Sequence, residues 1–158
     1  MTNVMKKLFS MLFIAAMCCM ALVSCGNDDE PVKPEPTQNL ESVYVDPTDV
    51  HYMFDIDLKK DSSSIYLYNI VFRIGETTSP AMSIRIDAPV TVDKTGKIYT
   101  YAGTGIMPYM MRGNTLVPMT GDAYLVTNLL CNVNSEAKTY DIKFDCHGGH
   151  FEDAGRLK

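Results

Sequence analysis

Three observations predict an all-β fold, either a small antiparallel barrel or, in the alternative, a β-sandwich. From residue 43 onward, apolar and polar side chains alternate with a period of two, the mark of half-buried strands. No window of helical length carries an apolar stripe with a 3.6-residue period. Clusters of Gly, Pro, Asn, Asp and Ser interrupt the alternation at nearly regular intervals, as turns between short strands do. The chain has 158 residues, room for one folded domain rather than two. Roughly six to eight strands with no helix between them leave no place for the crossovers of an α/β fold.

In chain order, the first strand starts at Val50, where Val50, Tyr52, Phe54, Ile56 and Leu58 alternate with His51, Met53, Asp55 and Asp57. Residues 59–64 have turn chemistry. Over 65–74, Tyr66, Tyr68, Ile70, Phe72 and Ile74 fall on one face, and Ile65, Leu67, Asn69, Val71 and Arg73 on the other. Both faces are mostly apolar, as in a central strand. After a break over 75–80, alternation resumes over 82–92; Pro89 offers no N–H to a ladder and so implies an edge or a bulge. Asp93-Lys94-Thr95-Gly96 is a tight hairpin signal, with glycine placed for positive φ. The strand over 97–104 sets Ile98, Thr100 and Ala102 against Tyr99 and Tyr101. A long connection rich in Met and Pro follows. Residues 122–133 are expected as a strand, 134–138 as a turn, and 139–146 as its partner with Tyr140, Ile142, Phe144 and Cys146 facing in. The last strand is short and spans 151–157.

The N-terminal residues read as an address. Residues 1–24 hold no acid, carry Lys6 and Lys7, and run apolar from 8 to 23 with only Ser10 interrupting. That is the layout of a secretory signal peptide. The run of 16 residues falls short of the roughly 20 that a spanning helix needs, and a buried core helix would show polar residues on one face. Leu22-Val23-Ser24-Cys25-Gly26 resembles the lipobox of bacterial lipoproteins. The resemblance implies cleavage before Cys25, whose thiol takes the diacylglyceryl group and gives a multi-chain membrane anchor. Gly26-Asn27-Asp28-Asp29-Glu30 resembles the acidic signal of Bacteroidetes lipoproteins displayed on the outer face of the outer membrane. Asp28, Asp29 and Glu30 are then the export signal; a solvated linker and a periplasmic orientation are the alternatives. Pro31, Pro34 and Pro36 make 31–38 a stiff, extended tether. The expected organisation is a signal peptide over 1–24, the lipidated cysteine and tether over 25–42, and the β domain over 43–158.

Composition narrows the function classes. A hydrophobic content of 46% with 21% charged residues excludes wholesale disorder. The formal net charge of -5 becomes -7 once Lys6 and Lys7 leave with the signal, so no nucleic-acid partner is expected. Cys18 and Cys19 leave with it, and Cys25 carries lipid, so Cys131 and Cys146 remain. With a hairpin turn over 134–138, Cys131 lies opposite about Tyr140, and Cys146 is then roughly 20 Å farther along. A disulfide needs Cα atoms within about 7 Å, so two free, buried thiols are expected.

Five segments carry a family resemblance. Ile65-Tyr66-Leu67-Tyr68-Asn69-Ile70-Val71-Phe72, Pro80-Ala81-Met82-Ser83-Ile84, Tyr101-Ala102-Gly103-Thr104-Gly105-Ile106-Met107-Pro108, Tyr124-Leu125-Val126-Thr127-Asn128-Leu129 and Asp141-Ile142-Lys143-Phe144-Asp145-Cys146 resemble the lipocalin-like (calycin-like) lipoproteins of Bacteroidetes. With the lipobox, the resemblance covers 63–158. It implies a small antiparallel lipocalin-like barrel with an internal pocket, in a family whose function is mostly unassigned. The chain has no Trp, and so lacks the Gly-x-Trp element of true lipocalins.

Candidate chemistry lies in four places. Tyr66, Tyr68, Tyr99 and Tyr101 share strand parity, and if their strands pair they form an aromatic patch or a cavity mouth suited to sugar rings or an apolar ligand. Ordinary half-buried strand tyrosines fit the same pattern. The connection over 106–119, with Tyr109, Met110, Met111 and Arg112, suits a lid or a partner contact, because thioether side chains adapt; packing over a barrel end explains it as well. Asp145-Cys146-His147-Gly148-Gly149-His150 gathers metal-ligand types, and His147 and His150 are weak metal candidates. Neighbours along a strand point oppositely, so a Gly-Gly turn flanked by exposed histidines is the favoured reading. Asp55 and Asp57 share a strand face at a spacing of about 7 Å, as exposed strand acids routinely do. There is no Gly-x-Ser-x-Gly elbow, phosphate-binding Gly-Lys-Thr or His-Glu-x-x-His.

These readings lead to an expectation of no enzyme and no cofactor. The expected protein is a surface-anchored outer-membrane lipoprotein that binds a small apolar molecule or a glycan. The alternative is a structural or interaction subunit of a cell-envelope complex with no small ligand.

Overall fold

The structure is a computed structural model that describes residues 36–158. The signal over 1–24, Cys25, the export residues Asp28, Asp29 and Glu30, and the tether up to residue 35 lie outside the described residues. In order, the strands are β1 (Thr37–Glu41), β2 (His51–Asp57), β3 (Ser63–Ile70), β4 (Arg73–Ile74), β5 (Thr77–Thr78), β6 (Met82–Ala88) and β7 (Val90–Val92). Then come β8 (Ile98–Gly103), β9 (Tyr109–Arg112), β10 (Thr115–Pro118), a 3-10 turn over Asp122–Tyr124, β11 (Thr127–Asn134), β12 (Thr139–Cys146) and β13 (Gly149–Arg156).

Two antiparallel sheets result. One runs β1-β2-β3-β6-β9-β10, the other β13-β12-β11-β8-β7, and β4 with β5 forms a separate small hairpin. The chain changes sheet at Pro89, between β6 and β7, where the missing N–H costs no ladder bond and the carbonyl still accepts from Ala102 N–H. The expected all-β class is therefore present, and between its two architectures the sheets are sandwich-like rather than closed into a barrel. One seam is stitched: Ser42 bridges Leu157, Val43 N–H donates to Arg156 O at 2.7 Å, and Lys158 N–H to Glu41 O at 2.9 Å. Opposite this seam, no ladder joins β10 to β7 among the described residues.

The alternation read from the sequence buries the expected faces of β2, β6 and β12. Rings from the two sheets meet in the middle: Tyr52 and Phe54 lie 5.0 and 5.4 Å from Tyr140, and Phe54 lies 6.4 Å from Tyr101. Each such side chain taken from water contributes roughly 1.5–3 kcal/mol.

Four expectations are corrected. The folded sheet starts at Thr37, inside the segment assigned to the tether; Thr-Gln-Asn-Leu-Glu has one apolar residue and pairs as an edge strand on β2. The connection over 106–119 is a hairpin, β9 with β10, added to the edge of the six-stranded sheet. The segment over 65–74 is not one strand: Asn69 takes a left-handed φ of 58°, the β3–β6 register shifts between Leu67 and Ile70, and the inward parity switches from Ile65 and Leu67 to Ile70 and Phe72. That slip is why both faces read as apolar. Asn128, with φ 53°, shifts the β11–β12 register in the same way, and the strand expected over 122–133 begins only at Thr127, because residues 122–124 form the 3-10 turn.

Candidate functional site

A half-open cleft of about 360 Å³ lies at the end of the sandwich where β3, β6, β9 and β12 meet loops. Its floor is Phe72 and Met119, both buried. The parity switch at Asn69 turns Phe72 inward, and mutual bonds with Ser79 fix it: Phe72 N–H donates to Ser79 Oγ at 2.9 Å, and Ser79 N–H to Phe72 O at 2.8 Å. Met82 and Met110 form the walls; pairing of Met110 with Ile84 puts it on the inner face of β9. The exposed Arg112, Val117 and Pro118 form the rim.

The remaining wall comes from the other sheet. Tyr124, at the end of the 3-10 turn, stacks on His147 with ring centroids 4.6 Å apart. His147 and Gly148, with φ 53° and 72°, form the two-residue turn between β12 and β13, of the type whose central residues both take positive φ. This corrects the expected Gly-Gly turn: Gly149 begins β13, and His147 is half-buried in the turn itself. His147 N–H donates to Ala123 O at 2.8 Å and Cys146 Sγ–H to Tyr124 O at 3.2 Å, so the 3-10 turn and the hairpin are held together.

The eight expected ligand residues divide three ways. Met110 and Arg112 line the cleft. Tyr99 and Tyr101 are fully buried on the inner face of β8, with Tyr99 Oη donating to Gly96 O and Tyr101 Oη to Asp55 O; they are core and line no cavity mouth. Tyr66, Tyr68, Tyr109 and Met111 lie on the outer face of the six-stranded sheet, away from the cleft. There Arg85 lies over the Tyr109 ring at 5.3 Å and pairs with Asp87 at 2.6 Å, while Tyr68, His51 and Tyr44 stack with centroids 4.4 and 4.3 Å apart. Asp55 and Asp57 border a polar depression on the same face with Asp87 and Tyr66. The expected four-tyrosine patch is thus absent, because β3 and β8 belong to different sheets. Sequence reasoning missed Phe72, Met82, Met119 and Tyr124 as site residues. Met119 is the last residue of the Met- and Pro-rich connection over 106–119 and Met82 opens β6, but no local pattern marks Phe72, whose direction depends on the bulge.

His147 and His150 do not converge. His150 is exposed and donates through Nδ1 to Asp145 at 2.7 Å, which raises its pKa above the ordinary value, with Glu152 3.7 Å from its Nε2. Among the described residues, no group of three His, Cys, Asp or Glu is placed to hold a metal ion. Cys131 and Cys146 are free and buried, as expected. The register differs by two residues: Cys131 faces Ile142, which leaves Cys146 four positions along β12, still roughly 13 Å away at strand rise. Burial raises the Cys146 thiol to about 11, and burial followed by the charge of Asp141 raises Cys131.

These features define the class as far as fold and site reach: an all-β, two-sheet protein with an apolar cleft at one end. No family model, no curated protein and no solved structure matches the chain.

Proposed function

We propose that this protein is a non-catalytic binding module that holds a small apolar molecule in the end cleft, carried by a lipocalin-like lipoprotein anchored through Cys25 on the outer face of the outer membrane. The observation that carries the reading is the cleft: about 360 Å³, lined by Phe72, Met82, Met110, Met119 and Tyr124 with few polar groups. That size and lining suit a small ligand. The chain enters the six-stranded sheet at Thr37, paired with Asp57, whereas Ile70 and Met82 beside the cleft pair at the opposite end. The described chain therefore enters this sheet at the end away from the cleft.

A glycan on the outer tyrosines is the weaker form of the reading, since the Tyr44, His51 and Tyr68 rings occupy one another's faces. The second reading, an interaction subunit, rests on the β10 edge, where Leu116 and Val117 are 38% and 39% exposed. Native mass spectrometry of protein purified gently from its own host separates the two. A co-purifying small molecule that is lost in Val117→Trp, which fills the cleft mouth, is the expected result. A repeatedly empty protein that elutes with a larger envelope complex would sink the binding reading. Protease treatment of intact cells tests display: digestion is expected, and protection would assign the periplasmic face.

A further inference from the structure

We infer that the cleft's occupant is an amphiphilic monoanion, an apolar body whose carboxylate is gripped by Arg112 at the rim. The inference rests on the cleft being the binding site and adds the chemical class of ligand. At roughly 30 Å³ per non-hydrogen atom, the share of a water molecule in the liquid, the cleft's 360 Å³ holds about twelve such atoms. Its floor and walls offer thioethers and rings, surfaces that shape themselves to an alkyl or aryl body.

The polar groups at the cleft are fewer, and three of them share one feature. Among the described residues, Arg112 has no carboxylate in ion-pair range, and its Nε–H reaches only the Met110 sulfur at 3.4 Å, a weak acceptor. Among the same residues, neither the Tyr124 hydroxyl nor the His147 ring nitrogens have a hydrogen-bond partner, although their rings are fixed by stacking. By contrast, the Ser79 hydroxyl is used, accepting from Phe72 N–H and donating to Pro80 O. The unpaired cation is a fork of donors with no acceptor, so the complementary group is a planar anion that accepts two parallel bonds. Arg112 is exposed while Phe72 and Met119 are buried, so polarity falls from mouth to floor. A carboxylate held there keeps part of its hydration while the body leaves water, which avoids the desolvation penalty of a buried ion pair.

Calorimetric titration at neutral pH of the full chain carrying Cys25→Ser, so that no acyl group of its own competes, tests this with decanoate and 1-decanol. Decanoate matches the capacity of the cleft, and the alcohol is its uncharged counterpart. The expected result is decanoate binding about tenfold tighter than decanol, with Arg112→Gln weakening decanoate until the two affinities come together. Equal affinities in the unsubstituted cleft would overturn the anionic head while leaving the binding module intact, and a preference that persists in Arg112→Gln would overturn the role of Arg112. If neither probe binds, or binding survives Val117→Trp, the cleft reading falls and takes this inference with it.

Discussion

Gly155 sits opposite Tyr140 in the β12–β13 ladder, and the tyrosine ring lies over it. A Cβ at 155 would stand 2.6 Å from the Tyr140 hydroxyl and 2.9 Å from two ring carbons. The ring has little room to yield, because Tyr52 and Phe54 pack on it from the other sheet. Burial, and then the charge of Asp153, raise the Tyr140 hydroxyl to about 12, so it stays a neutral donor at ordinary pH. Tyr52 donates to the same carboxylate at 2.8 Å. Gly155→Ala is expected to lower stability by ~1–3 kcal/mol, the usual cost of overpacking, read as a lower urea midpoint at unchanged slope. An unchanged midpoint would mean that the ring swings aside. The two thiols give a second expectation at this scale. With the Cys146 pKa raised to about 11 and Cys131 fully buried, neither is a ready thiolate, so iodoacetamide at about pH 8 should label them slowly in the native protein and quickly in urea. Fast native labelling would show that the core opens. Residues also mark the limit of sequence legibility. Asn69 and Asn128 look like ordinary strand members, yet each occupies a left-handed conformation that shifts register, and a two-residue period counted straight through them assigns the wrong face.

At the scale of elements, strands with three or more alternating apolar residues were legible: β2, β6 and β12 were read with their inward faces correct. β1, β9 and β10 were not. Thr37–Glu41 and Thr115–Pro118 are edge strands with little inward apolar surface, and they exist because a neighbour offers ladder bonds, which no local pattern announces. The β12–β13 hairpin shows how such a ladder carries charge. Asp145 pairs with His150 across it; Asn128 first, then His150, lower the Asp145 pKa, and Asp145 in turn raises that of His150. The signs define the window. The His150 contribution is fully present below its ordinary 6.5 and is lost as pH rises through its higher folded value. The Asp145 contribution is present above its ordinary 3.8 and is lost as pH falls through its lower folded value. The pair therefore holds between these limits. Both groups are exposed, so the clean readout is titration of the His150 ring by NMR. A midpoint above 6.5 is expected, moving back toward 6.5 in Asp145→Asn. A midpoint indifferent to that substitution would show that the pair does not persist in solution.

At the scale of the whole molecule, alternation was enough for the all-β class but silent on closure. Whether sheets join depends on contacts far apart in sequence, and here the deciding ones are the sheet change at Pro89 and the seam between β1 and β13. The seam puts the domain boundary to a direct test. Residues 37–43 pair along β2, cap it through Tyr52 N–H donated to Ser42 Oγ at 2.8 Å, and bond to Arg156 and Lys158 at the far end of the chain. Gln38 also donates to the Tyr99 hydroxyl across the sandwich. A chain starting at residue 36 keeps all of these contacts, whereas one starting at 43, the boundary that composition indicates, loses β1 and leaves β2 as a bare edge. With several ladder bonds at ~0.5–1.5 kcal/mol each, the shorter chain is expected to lose about 3 kcal/mol or more. Its exposed β2 edge is expected to promote association between copies. Urea unfolding compared with size-exclusion profiles of the two truncations measures both effects. Equal midpoints and two monomeric peaks would mean that β1 is an accessory strand and that the sandwich is held by its core alone.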